Sequence, residues 1–206
     1  MKGVAGMKWN RLVYYIMGIF TVYFGTALVV KASLGAGFWT ALFVGFSERF
    51  GMSAGFWFGI TQVVVIFVNA RLKKTHPDIF AFIPILLESV ILDFWLLVVM
   101  GAWDFSMLPL WVKMLIFTGG LLAATFGISL YIQTGFPRAP ADDLFVSISE
   151  RFQMRLGSAQ VVVAVMAAVL AYGVGGPVGM GTILSVLLAG PCIELWSTKT
   201  AVLLSS

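Results

Sequence analysis

Charge, cysteine and histidine are all scarce in this chain. Only 11% of its 206 residues are Asp, Glu, Lys or Arg, less than half the roughly 25% of an ordinary soluble domain. The single cysteine, Cys192, lies inside an apolar run, which excludes a disulfide-stapled secreted scaffold. The single histidine, His76, sits in a basic loop with no cysteine or second histidine at ligand spacing, so no metal site is expected. Neither a Ser, His, Asp arrangement nor H-E-x-x-H is present, and the glycine-rich stretch Gly173 to Thr182 lacks the lysine of a phosphate loop. The chain is therefore expected to be no enzyme and to need no cofactor. What is abundant is apolar: 60% of residues are hydrophobic and a further 22 are glycine. One core of this size cannot bury so much, so the solvent for most of the protein is lipid. The net charge of +4 reads as helix orientation rather than nucleic-acid binding, because no basic patch is interleaved with aromatics.

A bilayer core about 30 Å thick takes roughly 20 apolar residues as a helix. Six windows meet this: Leu12 to Val30, Ala54 to Ala70, Ile79 to Ala102, Leu108 to Gln133, Gly157 to Val174 and Met180 to Trp196. Lys2, Lys8 and Arg11 precede the first, which is too long for a signal-peptide core and reads as a retained span with a cytoplasmic N-terminus. Two stretches of about a dozen residues, Phe38 to Phe50 and Asp142 to Phe152, fit re-entrant half-helices better than crossings. If both re-enter, ten basic residues lie inside and three outside; if both cross, the split is eight to five. The first arrangement obeys the positive-inside rule better.

The chain also repeats itself. A shift of 102 residues lays Phe24 to Trp57 over Phe126 to Ala159 without a gap, with 12 identities in 34 positions, among them Ser47-Glu48-Arg49-Phe50 over Ser149-Glu150-Arg151-Phe152. We read a single membrane domain over residues 1–206 made of two repeats, 12–102 and 108–197, each a span, a short helix and two spans. Three crossings per unit invert the second copy, the arrangement in which transporters place a midplane site lined by broken helices. Four crossings would make the copies parallel.

The links before the short helices are the first place to look for function. Gly35 and Gly37 precede one, and Pro137 and Pro140 precede or open the other; both break a continuous helix. Re-entrant half-helices would present positive N-terminal ends near the midplane, which can attract an anion or a solute carboxylate. The aligned pair Thr40 and Asp142 reads as N-caps, with or without a pathway beside them. Gly35, Gly37, Thr40, Pro140, Asp142 and Asp143 are thus the candidate binding residues. Glu88, about nine residues into its span, is the candidate coupling residue, since carboxylates inside the membrane are costly and face a bundle interior or water. Asp93 and Glu194, near span ends, are further candidates, with interfacial pairing as the alternative. The repeated Glu-Arg pairs read as interfacial anchors, and Gly55 and Gly59 as a helix-packing signal.

Leu34-Gly35-Ala36-Gly37-Phe38-Trp39-Thr40, the repeated Ser-Glu-Arg-Phe, Gly179-Met180-Gly181-Thr182 and Gly190-Pro191-Cys192-Ile193 together resemble the YczE/YitT-like bacterial membrane proteins over about Tyr15 to Trp196. Members resemble one another in a Gly-x-Gly-Pro-x-Asp element before a short helix in both halves. Here Phe38 and Thr40 stand in place of the first Pro and Asp, while Pro140 and Asp142 keep theirs and Ala139 replaces a Gly. The resemblance implies a multi-pass protein of the bacterial inner membrane. The expectation is an all-helical polytopic membrane protein that moves a small solute or anion through a site between its repeats. The alternative is a non-transporting membrane partner or assembly factor for another protein. A chain of 22.4 kDa is also of a size to form a homodimer, with no interface placed by sequence.

Overall fold

The computed structural model describes residues 2–154 and 156–205, and the side chains of all of these except 2–8, 156, 157, 160, 194, 198 and 201–205. The side chain of Glu194 and the whole of Arg155 therefore lie outside the described residues. Every regular element among the described residues is helical: α1 Lys2–Lys31, α2 Phe38–Phe50, α3 Ala54–Lys73, α4 Phe82–Asp93, α5 Leu110–Ile132, α6 Pro140–Phe152, α7 Leu156–Gly173 and α8 Met180–Ser205. A short 3-10 turn, Ile79–Ala81, leads into α4, and a π-helical turn, Phe94–Val99, carries it on. Among the described residues, five helices are long and apolar enough to cross a membrane: Trp9–Lys31, Ala54–Lys73, Ile79–Val99, Leu110–Ile132 and Met180–Ser197. The sixth expected span falls on α7, whose described residues give a shorter apolar stretch, Val161–Gly173. At 13 residues each, α2 and α6 reach only about 20 Å, short of a 30 Å hydrocarbon core.

Glycines set the packing of the bundle. α1 and α5 make the most extensive helix contact in the protein, and they run antiparallel, Gly18 lying against Gly127 and Gly25 against Gly120. A Cβ added at Gly18 would stand 2.8 Å from Tyr131 Cβ, and one at Gly127 would stand 2.6 Å from Gly18 O. Small residues let two backbones approach this closely, and in lipid such van der Waals contact is a main source of helix association. The outer layer interlocks the halves: α2 packs on α7 and α3 on α6.

Each short helix begins beside the middle of its neighbours and ends toward one end of the bundle. The C-terminal end of α1 and the N-terminal end of α3 lie toward the same end of α4, for Lys31 Nζ donates to Gly101 O and Asp93 accepts from Ser53 Oγ and Gly55 N–H. Between them α2 begins with Trp39 packed near Val65 and Val163, in the middle of α3 and α7. It ends with Arg49 donating to Gly173 O at the end of α7. The second half follows suit: α6 begins beside the middle of α3 and ends beside Lys73 and Lys74.

The extended link 32–37 is stitched to the second half. Ala36 N–H donates to Pro177 O, Gly181 N–H to Leu34 O, and Thr182 Oγ1 to Ala36 O, at 2.8, 2.7 and 2.6 Å. Gly35, at φ +106°, faces the Gly179 backbone, 2.6 Å from where its Cβ would be. The glycine-rich stretch before α8 thus serves as the partner of this link.

Candidate functional site: a central acid and aromatic chamber

Glu88 sits in the middle of α4 and is 3% exposed. Tyr23 of α1 reaches it, donating its hydroxyl to Glu88 Oε2 at 2.9 Å. Across the chamber Tyr131 of α5 donates to Asp142 Oδ2 in the first turn of α6. Each tyrosine stands on one of the two helices that the glycine crossing brings together. A cavity of about 150 Å³ lies between them, lined by both carboxyls, both tyrosines, Thr26, Thr40, Gln62, Trp39, Phe43 and Phe58. Among the described residues the other oxygen of each carboxyl accepts no hydrogen bond, and the sole ion pair, Lys73 with Asp143, lies elsewhere. An ionised carboxylate inside a membrane is costly without a partner, so this chamber is arranged either to hold a proton or to receive a positive group.

The α6 start is held from α3. Gln62, 2% exposed, accepts from Ala141 N–H at 3.0 Å, and Asn69 Nδ2 donates to Pro140 O at 2.9 Å. Pro140 at the first helical position supplies a preset φ and has no N–H to satisfy. The expectation that Thr40 and Asp142 are N-caps is corrected here. The caps are Gly37 and Ala139, and neither makes a side-chain hydrogen bond. Because each helix starts three residues earlier, Thr40 and Asp142 fall at equivalent third positions inside it, with Asp142 free to meet Tyr131.

A second cavity, of about 360 Å³, shares Thr26, Trp39, Thr40, Ile128 and Asp142 with the first and continues between α1, α5, α6 and α8. Its lining is mostly apolar, with Gly37, Thr125, Ser185 and Arg138 among the rest. Arg138 also lines an outer vestibule of about 310 Å³ that holds Asn69, Lys73, His76, Asp78, Pro140 and Asp143.

The structure thus brings Thr40, Asp142 and Glu88 into one chamber, with Gly37 on its extension. Pro140 and Asp143 stand in the vestibule, where Asp143 pairs with Lys73 at 2.6 Å. Gly35 lines none of these spaces; its backbone lies against that of Gly179. Asp93 proves to hold the start of α3 through Ser53 and Gly55. Among the described residues no group of three His, Cys, Asp or Glu side chains could hold a metal. Sequence reading missed Tyr23, Tyr131, Gln62 and Ser185. Gln62 had a signal, being with Asn69 one of two amides seven residues apart in an otherwise apolar span; the tyrosines had none.

Comparison with known proteins places this geometry in a family without assigning it an activity. The chain is 29% identical over 186 residues to the uncharacterized protein YyaS of Bacillus subtilis (strain 168), covering 90% of this chain and 92% of that one. It is 24% identical over 191 residues to the uncharacterized membrane protein YczE of the same organism, covering 92% and 85%. A third similar protein, uncharacterized, from Haemophilus influenzae, is 25% identical over 175 residues, covering 84% and 76%. No solved structure matches the chain. It is an integral membrane protein related to YczE, and the family described as "Family of unknown function (DUF6198)" matches residues 9–198, so the chain belongs to that family.

Proposed function

We propose that this protein is an inner-membrane transporter of a small solute, with its N-terminus in the cytoplasm. In this reading it is an inverted repeat of six spans and two re-entrant half-helices, with its site where the half-helices meet. One observation carries the proposal: the third residues of both short helices, Thr40 and Asp142, line the same cavity as the mid-span carboxyl of Glu88. Half-helices beginning at a shared site between two antiparallel units are what alternating access needs, because rocking one unit against the other changes the face to which the site opens. The antiparallel crossing of α1 and α5 supports the inversion, and the cavities that adjoin through Thr40, Asp142 and Arg138 supply a route from the vestibule inward. An anion is the less favoured cargo, since two carboxyls and the Gln62-capped start of α6 occupy the place where it would bind.

The test has two arms. Purified protein in vesicles is assayed for flux of a broad solute panel; solute-specific uptake above protein-free vesicles is expected. Topology is read in a Cys192→Ala background by labelling Gly51→Cys and Gln153→Cys with an impermeant thiol reagent. Labelling of Gly51→Cys from outside and of Gln153→Cys only after lysis supports the inverted arrangement. Labelling of both only after lysis, with no flux of any solute, overturns the proposal and leaves the assembly-factor reading in its place.

A further inference from the structure

Three features of the chamber agree on the charge and shape of what it holds. The first is the acid pair: Glu88 and Asp142 each receive one tyrosine hydroxyl and, among the described residues, keep a second oxygen unbonded and have no lysine or arginine in an ion pair with them. The second is an aromatic wall on the same cavity. Tyr23 meets Phe58 edge-on with ring centres 5.9 Å apart, Phe58 meets Phe43 edge-on at 5.3 Å, and Phe43 stacks with Trp39 at 6.1 Å. The third lies in the adjoining apolar cavity, where Ser185 is 6% exposed and its hydroxyl has no partner.

We propose that the chamber binds a small organic ammonium ion, its charged head between Glu88, Asp142 and the aromatic wall and its apolar body in the larger cavity toward Ser185. The proposal rests on the transport reading for the passage of this solute, not for its binding. Aromatic faces attract cations through the ring quadrupole, and the attraction grows when the site is dry. Carboxylates add charge attraction, and the unbonded oxygens and the Ser185 hydroxyl are acceptors for an N–H or a solute hydroxyl. A metal ion fits less well. It would need several oxygen ligands, and the wall facing the acids is largely ring carbon. Arg138 lines the larger cavity and the vestibule but not the chamber, and its charge reaches Asp142 without an ion pair.

The test compares choline with its neutral carbon isostere, dimethylbutanol, and with benzoate, using the full chain in nanodiscs and following thermal unfolding. Saturable stabilisation by choline is expected, with none from the other two. Glu88→Gln and Asp142→Asn are each expected to weaken choline binding at least about tenfold. Should either fail to fold, Phe58→Leu, which removes an aromatic face and no charge, is expected to weaken it about threefold or more. Equal stabilisation by choline and dimethylbutanol, no stabilisation by choline, or unchanged affinity in the variants that fold would overturn the proposal. Choline binding without flux in vesicles leaves the cation site standing and removes the transport reading. Flux of a neutral or anionic solute by a protein that ignores choline does the reverse.

Discussion

Gly119 and Gly120 are neighbours in α5, yet substitution by alanine should move stability in opposite directions. A Cβ at Gly120 would stand 2.8 Å from Gly25 O, 2.9 Å from Leu28 Cβ and 3.1 Å from Val29 Cγ2, whereas one at Gly119 would have nothing within 4 Å. Carbon atoms rest about 3.5–4.0 Å apart, so Gly120→Ala forces α1 and α5 to part by most of an ångström at their crossing. Overpacking of this kind costs about 1–3 kcal/mol. The gain from replacing a helical glycine, about 0.5–1 kcal/mol, offsets part of that and leaves a net loss of up to about 2.5 kcal/mol. Gly119→Ala keeps the gain and meets no clash, so it should stabilise by about 0.5–1 kcal/mol. The glycine gain is common to both, so the pair should differ by the overpacking cost, about 1–3 kcal/mol, a factor of about five or more in the folding equilibrium. Reversible unfolding by SDS in mixed micelles reads this difference directly. Equal stabilities for the two variants, or a more stable Gly120→Ala, would refute the claim that the crossing is set by backbone contact at these glycines.

Other substitutions test the supports of the chamber. Gln62→Leu removes the acceptor of the buried Ala141 N–H and should cost about 1–3 kcal/mol in the same assay; a loss of under half of that would mean the α6 start does not depend on α3. Lys73→Ala, by contrast, breaks a pair whose side chains are 29% and 41% exposed, and should cost no more than about 1 kcal/mol, less at high salt. Outside the membrane, in the loop before α5, hydrogen bonds from the side chain and backbone of Ser106 hold the Asp104 carboxyl below its ordinary range. Its folded value lies under its unfolded one, so its contribution to stability is present above the ordinary carboxylate range and is lost as pH falls through the lowered value. An NMR titration of the Asp104 side chain should show a midpoint below that of Asp104 in the Ser106→Gly variant, where both midpoints coinciding would remove the assignment.

Helix positions were mostly legible because hydropathy and length are one-dimensional properties, and α2, α3, α5 and α6 start or stop within a few residues of the windows read from sequence. Misses occurred where backbone geometry overrode the apolar pattern. The window Ile79 to Ala102 hides a change from α to π winding at Phe94, and α8 runs through Pro191 to Ser205, past Trp196, where its apolar window stops. A proline inside a membrane helix is tolerated because neighbouring groups can satisfy the freed carbonyl. The cap positions shifted for a related reason: Thr40 and Asp142 have cap-forming side chains, but Gly37 and Pro140 accept the start of a helix through backbone conformation alone. Glu88 stood out as an intramembrane acid, while its partner Tyr23 did not, because one more aromatic in a chain with 18 Phe carries no signal.

Repeat symmetry and chemistry are separable in this molecule. The shift of 102 residues that aligns the short helices also lays Gly18 and Gly25 over Gly120 and Gly127, and these four residues form the α1–α5 crossing. The polar residues of the chamber break the same symmetry. Tyr23 aligns with Thr125, Tyr131 with Val29, Gln62 with Ala164 and Asp142 with Thr40. The glycines that agree between halves therefore build a two-sided frame, and the polar positions that disagree furnish its interior. Such a division has a mechanical consequence. A symmetric frame can adopt two states related by exchange of its halves, whereas an asymmetric lining gives the states different contacts with a bound solute, which is the differential affinity that any ligand-driven shift requires. Restoring symmetry inside the chamber should then abolish solute response while sparing the fold. Asp142→Thr together with Tyr131→Val makes the second half match Thr40 and Val29. That double variant should unfold in SDS close to the parent protein and lose its response to choline. If it unfolds far more readily instead, the tyrosine and acid are part of the frame, and the separation argued here fails.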